Sequence, residues 1–273
     1  MKTHTNHLPD HRPSPLARAI LALLTAFGLV AGITALPASA DSGPAYLGLG
    51  DSVAAGTGGS IYVDAQCLRT ATAYTTQLGG VNAACYGATT DQIGGQATAA
   101  GLNPATKRVT ITVGANDVNV GGVAAACVPV QPDQPINQTA CQNEIAYSTT
   151  VLLPQLPLKI AKAISDVRGQ APNARITLTG YPLLFTVSGL PAALQPVATQ
   201  INLATAALNA TIAGSALRSG ALYTDVTWRF LGHGYGSLQP WINAPSTTDP
   251  GALHPNDAGY TLGYVPAVRP FVL

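Results

Sequence analysis

Residues 45–56 read AYLGLGDSVAAG, a short apolar run that stops at Asp51-Ser52. Such a run, ended by polar turn residues, is typical of a buried β-strand. Further strands are predicted at RVTITV (108–113), RITLT (175–179), ALYTDV (221–226) and, more weakly, VNAAC (81–85). The chain is therefore expected to contain five short strands.

Helical patterns lie between these runs. Apolar residues from Leu156 to Val167 recur every three to four positions, which predicts an amphipathic helix. A second helix is predicted over 197–217, and a short last helix begins near Asn256, which can cap it. Strands that alternate with helices predict an α/β fold with a parallel sheet covered on both faces. The Gly/Val/Ala/Pro-rich segment 118–141 is interpreted as an ordered loop inserted into this fold.

Composition narrows the function classes. The chain has 273 residues, of which 47% are hydrophobic and only 9% are charged. This composition argues against intrinsic disorder, and a chain of this length can form a sizeable hydrophobic core. The net charge is +1, so no basic surplus is available to neutralise phosphates, and we expect no nucleic-acid partner.

The first forty residues resemble an export signal. Basic residues precede an uncharged apolar stretch at 19–36, and the small residues of PASA (37–40) follow it. This order predicts a secretory signal peptide at 1–40, cleaved after Ala40, and a single domain over 41–273. A membrane anchor is the alternative, although 18 residues interrupted by glycines are marginal for a span. We expect a secreted, extracellular monomer with no stable membrane anchor after cleavage.

Four cysteines and two histidines remain after that cleavage. The cysteines are Cys67, Cys85, Cys127 and Cys141. In an exported chain an even number of cysteines predicts disulfides, and three pairings are open, of which the nearest-neighbour scheme closes short loops. His233 and His254 are few for a metal site, and no C-x-x-C occurs, so no metal and no cofactor are expected.

Chemistry-bearing residues follow the predicted strands. In an open parallel sheet, ligands bind beyond the carboxyl ends of the strands. The segments that reach this edge are GDS (50–52), YGATT (86–90), GAND (114–117) and, near the C-terminus, LHPND (253–257). Together they bring a hydroxyl, two glycine turns, a side-chain amide and a histidine to one edge. Acyl transfer needs these groups as a nucleophile, as donors to an oxyanion and as a base.

The strings GLGDSVAAG, GATT, GAND and HPNDAGY, in this order, resemble the SGNH (GDSL-type) hydrolase family of esterases and lipases, in particular its secreted actinobacterial members. The resemblance covers roughly residues 45–270. It implies a flavodoxin-like three-layer α/β/α sandwich with a central five-stranded parallel sheet. It also implies a serine hydrolase that cleaves carboxylic esters.

The resemblance carries roles for individual residues. Ser52 would be the nucleophile that forms an acyl-enzyme, because a hydroxyl activated by a base can attack an ester. His254 would be the general base. The backbone N–H groups of Ser52 and Gly87 and the side-chain amide of Asn116 would form the oxyanion hole.

Two positions depart from the family pattern. Val53 replaces the usual leucine beside the nucleophile, a change of volume only. Gly251 stands three residues before His254, where the family usually has an aspartate, and the nearest acid is Asp249. Either Asp249 reaches the imidazole from further away, or a backbone carbonyl orients His254 and the site is a Ser–His dyad; the dyad is favoured.

Three functions remain open on this fold. The leading one is a lipase or esterase on a small-molecule or lipid ester, since the apolar composition suits acyl chains. The second is a polysaccharide O-deacetylase, which should expose aromatic residues, and the chain has only two tryptophans, Trp228 and Trp241. The third is an inactive binding protein, which would be expected to lose Ser52, Asn116 or His254. An α/β-hydrolase is excluded because no G-x-S-x-G occurs.

Overall fold

Five short parallel strands form the central sheet. The computed structural model describes residues 43–129, 131 and 135–273, so the expected signal peptide lies outside the described residues. The strands are β1 (Tyr46–Gly50), β2 (Tyr62–Asp64), β3 (Arg69–Thr70), β4 (Val81–Asn82), β5 (Arg108–Thr112), β6 (Arg175–Thr179) and β7 (Leu222–Thr224). The sheet order is β4-β1-β5-β6-β7, and all neighbouring pairs are parallel. This is the flavodoxin-like order and confirms the expected fold.

Helices cover both faces of this sheet. They are α1 (Ser52–Ala55), α2 (Tyr74–Gln77), α3 (Ile93–Ala99), α4 (Val120–Cys127), α5 (Gln138–Ala146), α6 (Leu156–Gln170), α7 (Gln195–Arg218) and α8 (Val265–Val272). Strand β1 is buried at all five positions, as expected for a strand packed between two helix layers. Helices α3, α6 and α7 pack together, while α8 packs against α2 and β5.

Short helical turns complete the architecture. They are Thr90–Gln92, Tyr147–Leu152, Leu153–Gln155, Val187–Gly189, Thr227–Phe230 and Gly259–Tyr264. The turn Gly259–Tyr264 leads directly into α8, and the Asn256 side chain caps its start by accepting a hydrogen bond from the Gly259 N–H at 3.1 Å, as predicted. Within the described part of the chain, no helix is long and apolar enough to cross a membrane.

The structure corrects the interpretation of segment 118–141. Helix α4 and the start of α5 occupy parts that were expected to be loop. Two consecutive glycines in α4 disfavour a helix by local propensity. The helix forms because it buries Val123 and Cys127 in a second apolar cluster, shared with Val197 and Ile201 of α7.

Two disulfides follow the nearest-neighbour pairing. Cys67–Cys85 joins the loop between β2 and β3 to the segment after β4, and Cys127–Cys141 joins α4 to α5. Strands β2 and β3 form a separate antiparallel hairpin that the sequence did not predict. The first disulfide therefore ties this hairpin to the edge of the sheet where the candidate site lies.

Candidate active site

Ser52 lies at the sharp turn between β1 and α1. The Asp51 side chain caps α1 by accepting a hydrogen bond from the Val53 N–H at 3.0 Å. Before it, Gly50 has φ +134°, and a Cβ there would lie 2.0 Å from the Thr112 carbonyl oxygen. Only glycine fits this close approach. The turn thus places the Ser52 hydroxyl at the carboxyl edge of the sheet.

The His254 imidazole reaches Ser52 from the C-terminal segment. Its Nε2 lies 2.7 Å from the Ser52 Oγ, and its Nδ1 lies 2.9 Å from the Ala252 carbonyl oxygen. A carbonyl can only accept a hydrogen bond, so Nδ1 carries the proton and Nε2 is free to accept the hydroxyl proton of Ser52. Burial lowers the pKa of His254, against the Ala252 hydrogen bond and the charge of Asp249, which both raise it.

The chain between Asp249 and His254 decides what orients the imidazole. Leu253 adopts a left-handed conformation with φ +59°, which is uncommon for a residue with a side chain, and it connects Ala252 to His254. The Asp249 Oδ1 instead accepts a hydrogen bond from the Gly251 N–H at 2.7 Å. Within the described residues, no hydrogen bond joins Asp249 to His254.

Gly87 and Asn116 lie on the two loops predicted to supply oxyanion donors. The Asn116 Nδ2 donates to the Ala88 carbonyl at 2.9 Å, which orients the amide and leaves its second N–H available. Gly87 has φ +76°, a conformation that favours glycine. Among the described contacts, the N–H groups of Ser52 and Gly87 donate to no protein acceptor, so both remain available to a ligand.

Asp117 ties these two loops together. Its carboxylate accepts hydrogen bonds from the N–H of Thr90 at 3.0 Å and from the Thr90 Oγ1 at 2.7 Å. Lys159 lies 3.4 Å from the same carboxylate. Asp117 thus organises these loops by hydrogen bonds and touches neither Ser52 nor His254 among the described hydrogen bonds.

Comparison with known proteins identifies the family. Residues 49–262 match the model of the GDSL-like lipase/acylhydrolase family. The chain belongs to this family. Because the family's chemistry is ester hydrolysis, the protein is a carboxylic-ester hydrolase.

Similar proteins within the GDSL-like family come from Streptomyces. Lipase 1 of Streptomyces coelicolor is 30% identical over 268 residues, covering 94% of this chain and 95% of that protein. The crystal structure of an extracellular lipase from Streptomyces rimosus matches with a TM-score of 0.75 at 28% identity, over 83% of this chain and 98% of the other. A phospholipase A1 from Streptomyces albidoflavus gives a TM-score of 0.75 at 28% identity, over 84% and 99%.

Sequence reasoning missed Tyr181 as a residue of this hydrolase site. Its hydroxyl donates a hydrogen bond to the Asp51 Oδ2 at 2.5 Å and accepts one from the Ala115 N–H at 3.1 Å. The signal available in the sequence was its position two residues after the end of β6, at the carboxyl edge of the sheet. Asp51 is fully buried, and this burial raises its pKa to about 7 against the hydrogen bonds from Tyr181 and Val53.

His233 lies away from this arrangement. Its Nδ1 lies 2.9 Å from the Gln239 carbonyl, and its ring stacks on Trp241 with centroids 3.8 Å apart. These contacts fix the His233 ring against the chain around Trp241. In the described part of the chain, no three His, Cys, Asp or Glu side chains cluster as metal ligands would.

An apolar cavity of about 250 Å³ lies between α4 and α7. Its walls include Cys127, Phe185, Leu190, Val197, Ile201 and Tyr235. A smaller neighbouring cavity of about 40 Å³ shares Val128 and Ile201 with it and is also lined by Val118 and Leu253. Leu253, which lines the smaller cavity, directly precedes His254 in the chain.

Proposed function

We propose that this protein is a secreted lipase or esterase that cleaves acyl esters through an acyl-enzyme on Ser52. The observation that carries the proposal is the 2.7 Å contact between the Ser52 Oγ and the His254 Nε2, with the other ring nitrogen fixed as a donor. A serine hydroxyl needs such a base, because alone it is too weakly acidic to attack an ester.

The reaction proceeds in two halves. His254 accepts the hydroxyl proton as the Ser52 Oγ attacks the ester carbonyl, and it then returns the proton to the departing alcohol. Water attacks the acyl-enzyme in the same way and releases the carboxylic acid. In both halves the N–H groups of Ser52 and Gly87 and the amide of Asn116 hold the oxyanion; one such donor is typically worth about 10²–10³ in rate.

The orienting group in this proposal is a carbonyl. The Ala252 oxygen fixes the tautomer of His254, and it carries only a partial charge with which to stabilise the imidazolium. Asp249 acts on the imidazole through its charge and not through a hydrogen bond. The site is accordingly a Ser–His dyad.

The substrate class we propose is a lipid or other ester with an apolar acyl chain. The cavity lined by Phe185, Val197 and Ile201 lies in an apolar cluster, and Leu253, the residue before the proposed base, packs against this cluster. The similar Streptomyces proteins named lipase and phospholipase A1 support this class. A polysaccharide would be expected to need exposed aromatic rings; Trp241 is stacked on His233, but Trp228 and Tyr86 are exposed, so the substrate series below decides between the two classes.

Export is part of the proposal. Residues 1–40 are the signal peptide, and 41–273 form one hydrolase domain that acts as a monomer. The two disulfides fit an oxidising compartment. The N-terminus of the protein recovered from the medium should be Asp41, and size-exclusion chromatography should give the mass of one chain; an uncleaved or dimeric product contradicts these points.

A p-nitrophenyl phosphonate ester tests the nucleophile directly. The oxidised mature protein should lose activity after one equivalent of phosphonate attaches to the peptide that contains Ser52, and Ser52→Ala should stay unlabelled. A series of p-nitrophenyl esters from C2 to C16, run beside acetylated xylan, tests the substrate class. Labelling elsewhere contradicts the role of Ser52, and release of acetate from xylan faster than hydrolysis of every ester favours the deacetylase.

A further inference from the structure

The Tyr181 hydroxyl lies between the loop of the nucleophile and a loop of the oxyanion hole. It donates to the carboxylate of Asp51, the residue before Ser52, and accepts from the N–H of Ala115, the residue before Asn116. One phenol oxygen therefore joins the two loops whose side chains must meet the same substrate carbonyl.

The backbone of Tyr181 is held in place independently of its hydroxyl. Its N–H donates to the Asn209 Oδ1 at 2.8 Å, and its carbonyl accepts from the Asn209 Nδ2 at 2.8 Å. Tyr181 and Asn209 are both buried. Asn209 belongs to the long helix α7, so Tyr181 connects the two loops to a rigid part of the fold.

The Asp51 carboxylate depends on Tyr181 for its side-chain partner. Asp51 is fully buried, and the ion pairs found among the described residues involve other acids. One of its oxygens accepts the Val53 N–H, and the other accepts the Tyr181 hydroxyl. A buried carboxylate that loses a hydrogen bond destabilises its surroundings, because no water replaces the missing donor. Removal of the Tyr181 hydroxyl thus loosens the turn that carries Ser52.

We propose that Tyr181 is a positioning residue that sets the distance between the Ser52 Oγ and the Asn116 amide. The inference rests on the proposed roles of Ser52 and Asn116. An oxyanion donor is effective only about 2.7–3.1 Å from the developing charge, so a small shift between the two loops weakens the transition state more than the bound substrate. Tyr181 acts through the distance between the nucleophile and the oxyanion donor, and it does not itself contact the substrate.

Tyr181→Phe tests the inference, with Tyr264→Phe as the matched control. Tyr264 is also fully buried, and its hydroxyl donates to the Gly180 carbonyl at 3.0 Å, one residue away from Tyr181; among the described hydrogen bonds it makes none to either loop. We expect Tyr181→Phe to lower kcat by about 10- to 100-fold with KM within about twofold, since misplacement by about 1 Å has effects of this size. Tyr264→Phe should lose thermal stability and keep its kcat.

Two further readouts separate positioning from a structural role. The Ki of a trifluoromethyl ketone, which forms a tetrahedral adduct, should rise in Tyr181→Phe by the same factor as kcat/KM falls. In an Asn116→Ala background, Tyr181→Phe should lower kcat by about threefold or less. The amide whose position depends on Tyr181 is then already missing, so a shift between the loops has little further effect.

The outcomes distinguish this inference from the proposed function. If Asn116→Ala lowers kcat while Tyr181→Phe leaves kcat and the ketone Ki unchanged, Tyr181 is structural only and the inference is wrong. If Asn116→Ala itself has no effect, the oxyanion assignment fails instead. Should Tyr181→Phe not fold, Asp51→Asn alters the other end of the same hydrogen bond and is measured in the same way; an unchanged kcat there also overturns the inference.

Discussion

The Ala252 carbonyl oxygen lies 2.9 Å from the Nδ1 of His254, only two residues further along the chain. The chain reverses here in a turn that is closed by the hydrogen bond from the His254 N–H to the Gly251 carbonyl at 3.1 Å, and within this turn Leu253 has φ +59°. Family members with an acid three residues before the histidine use a carboxylate for the same purpose. Here Gly251 stands at that position, and the backbone supplies the acceptor.

Asp249→Asn should therefore lower kcat by about tenfold or less. Loss of the acid in a trypsin-type triad reduces kcat by about 10⁴, because the acid both fixes the tautomer and stabilises the imidazolium. In this protein the Ala252 carbonyl still fixes the tautomer, and only the long-range charge of Asp249 is removed. Steady-state kinetics on a p-nitrophenyl ester measures the effect. A loss of a thousandfold or more, with unchanged circular dichroism and melting temperature, would identify Asp249 as the catalytic acid.

The pH profile of kcat/KM should follow the titration of His254. The base must be neutral to accept a proton, and burial lowers its pKa below the usual 6.5. The acid limb is therefore expected to have its midpoint below pH 6.5, with activity retained above it. Asp249→Asn should move the midpoint lower still, because the Asp249 charge raises the pKa of His254. A midpoint near pH 7 that Asp249→Asn does not move would point to Asp51, whose pKa is about 7.

Filling the apolar cavity should shorten the preferred acyl chain. Ile201 lines both cavities and is 6% exposed, so Ile201→Trp should reduce kcat/KM for C12–C16 esters by about tenfold, with little change for C4. Leu203→Trp is the control, because Leu203 lies on the same helix and is 65% exposed. A parallel loss across all chain lengths, or none, would show that the cavity does not hold the acyl chain.

The two disulfides should stabilise the protein similarly and affect catalysis differently. They close loops of similar length, with separations of 18 and 14 residues, so replacing either pair by serine should lower the free energy of unfolding by about 3 kcal/mol. Cys85 lies two residues before Gly87, and the Tyr86 N–H donates to the Cys67 carbonyl at 3.0 Å. Loss of the Cys67–Cys85 bridge should therefore also lower kcat. Equal kcat values for both double variants in native buffer would contradict this difference.

The sheet and the central residues of the site were predictable because their signals are local. The β-branched run RITLT (175–179) coincides with β6, and GDS, GAND and the segment around His254 each meet at the carboxyl edge of the sheet. The presence of disulfides also followed from the even number of cysteines, whereas the nearest-neighbour pairing was one of three open schemes. These features depend on short stretches of sequence, so they can be predicted without knowledge of the tertiary contacts.

The remaining features depend on contacts between distant segments. Helix α4 contains Gly121-Gly122 and is stable only against α7, so its sequence resembles a loop. Tyr181 and Asp51 are 130 residues apart, and nothing in either segment indicates their hydrogen bond. The choice between Asp249 and the Ala252 carbonyl likewise depends on the φ of Leu253, which the side-chain identity does not disclose.

The catalytic rate of Ser52→Ala tests the central claim most directly. The variant should be assayed as the oxidised mature protein on the p-nitrophenyl ester that the parent hydrolyses fastest, beside His254→Ala and with circular dichroism and melting temperature recorded. Both variants should lose at least about 10³ in kcat, because members of such a unit are each required for the same step. Turnover by a folded Ser52→Ala protein at the parent rate would contradict the assignment of this site.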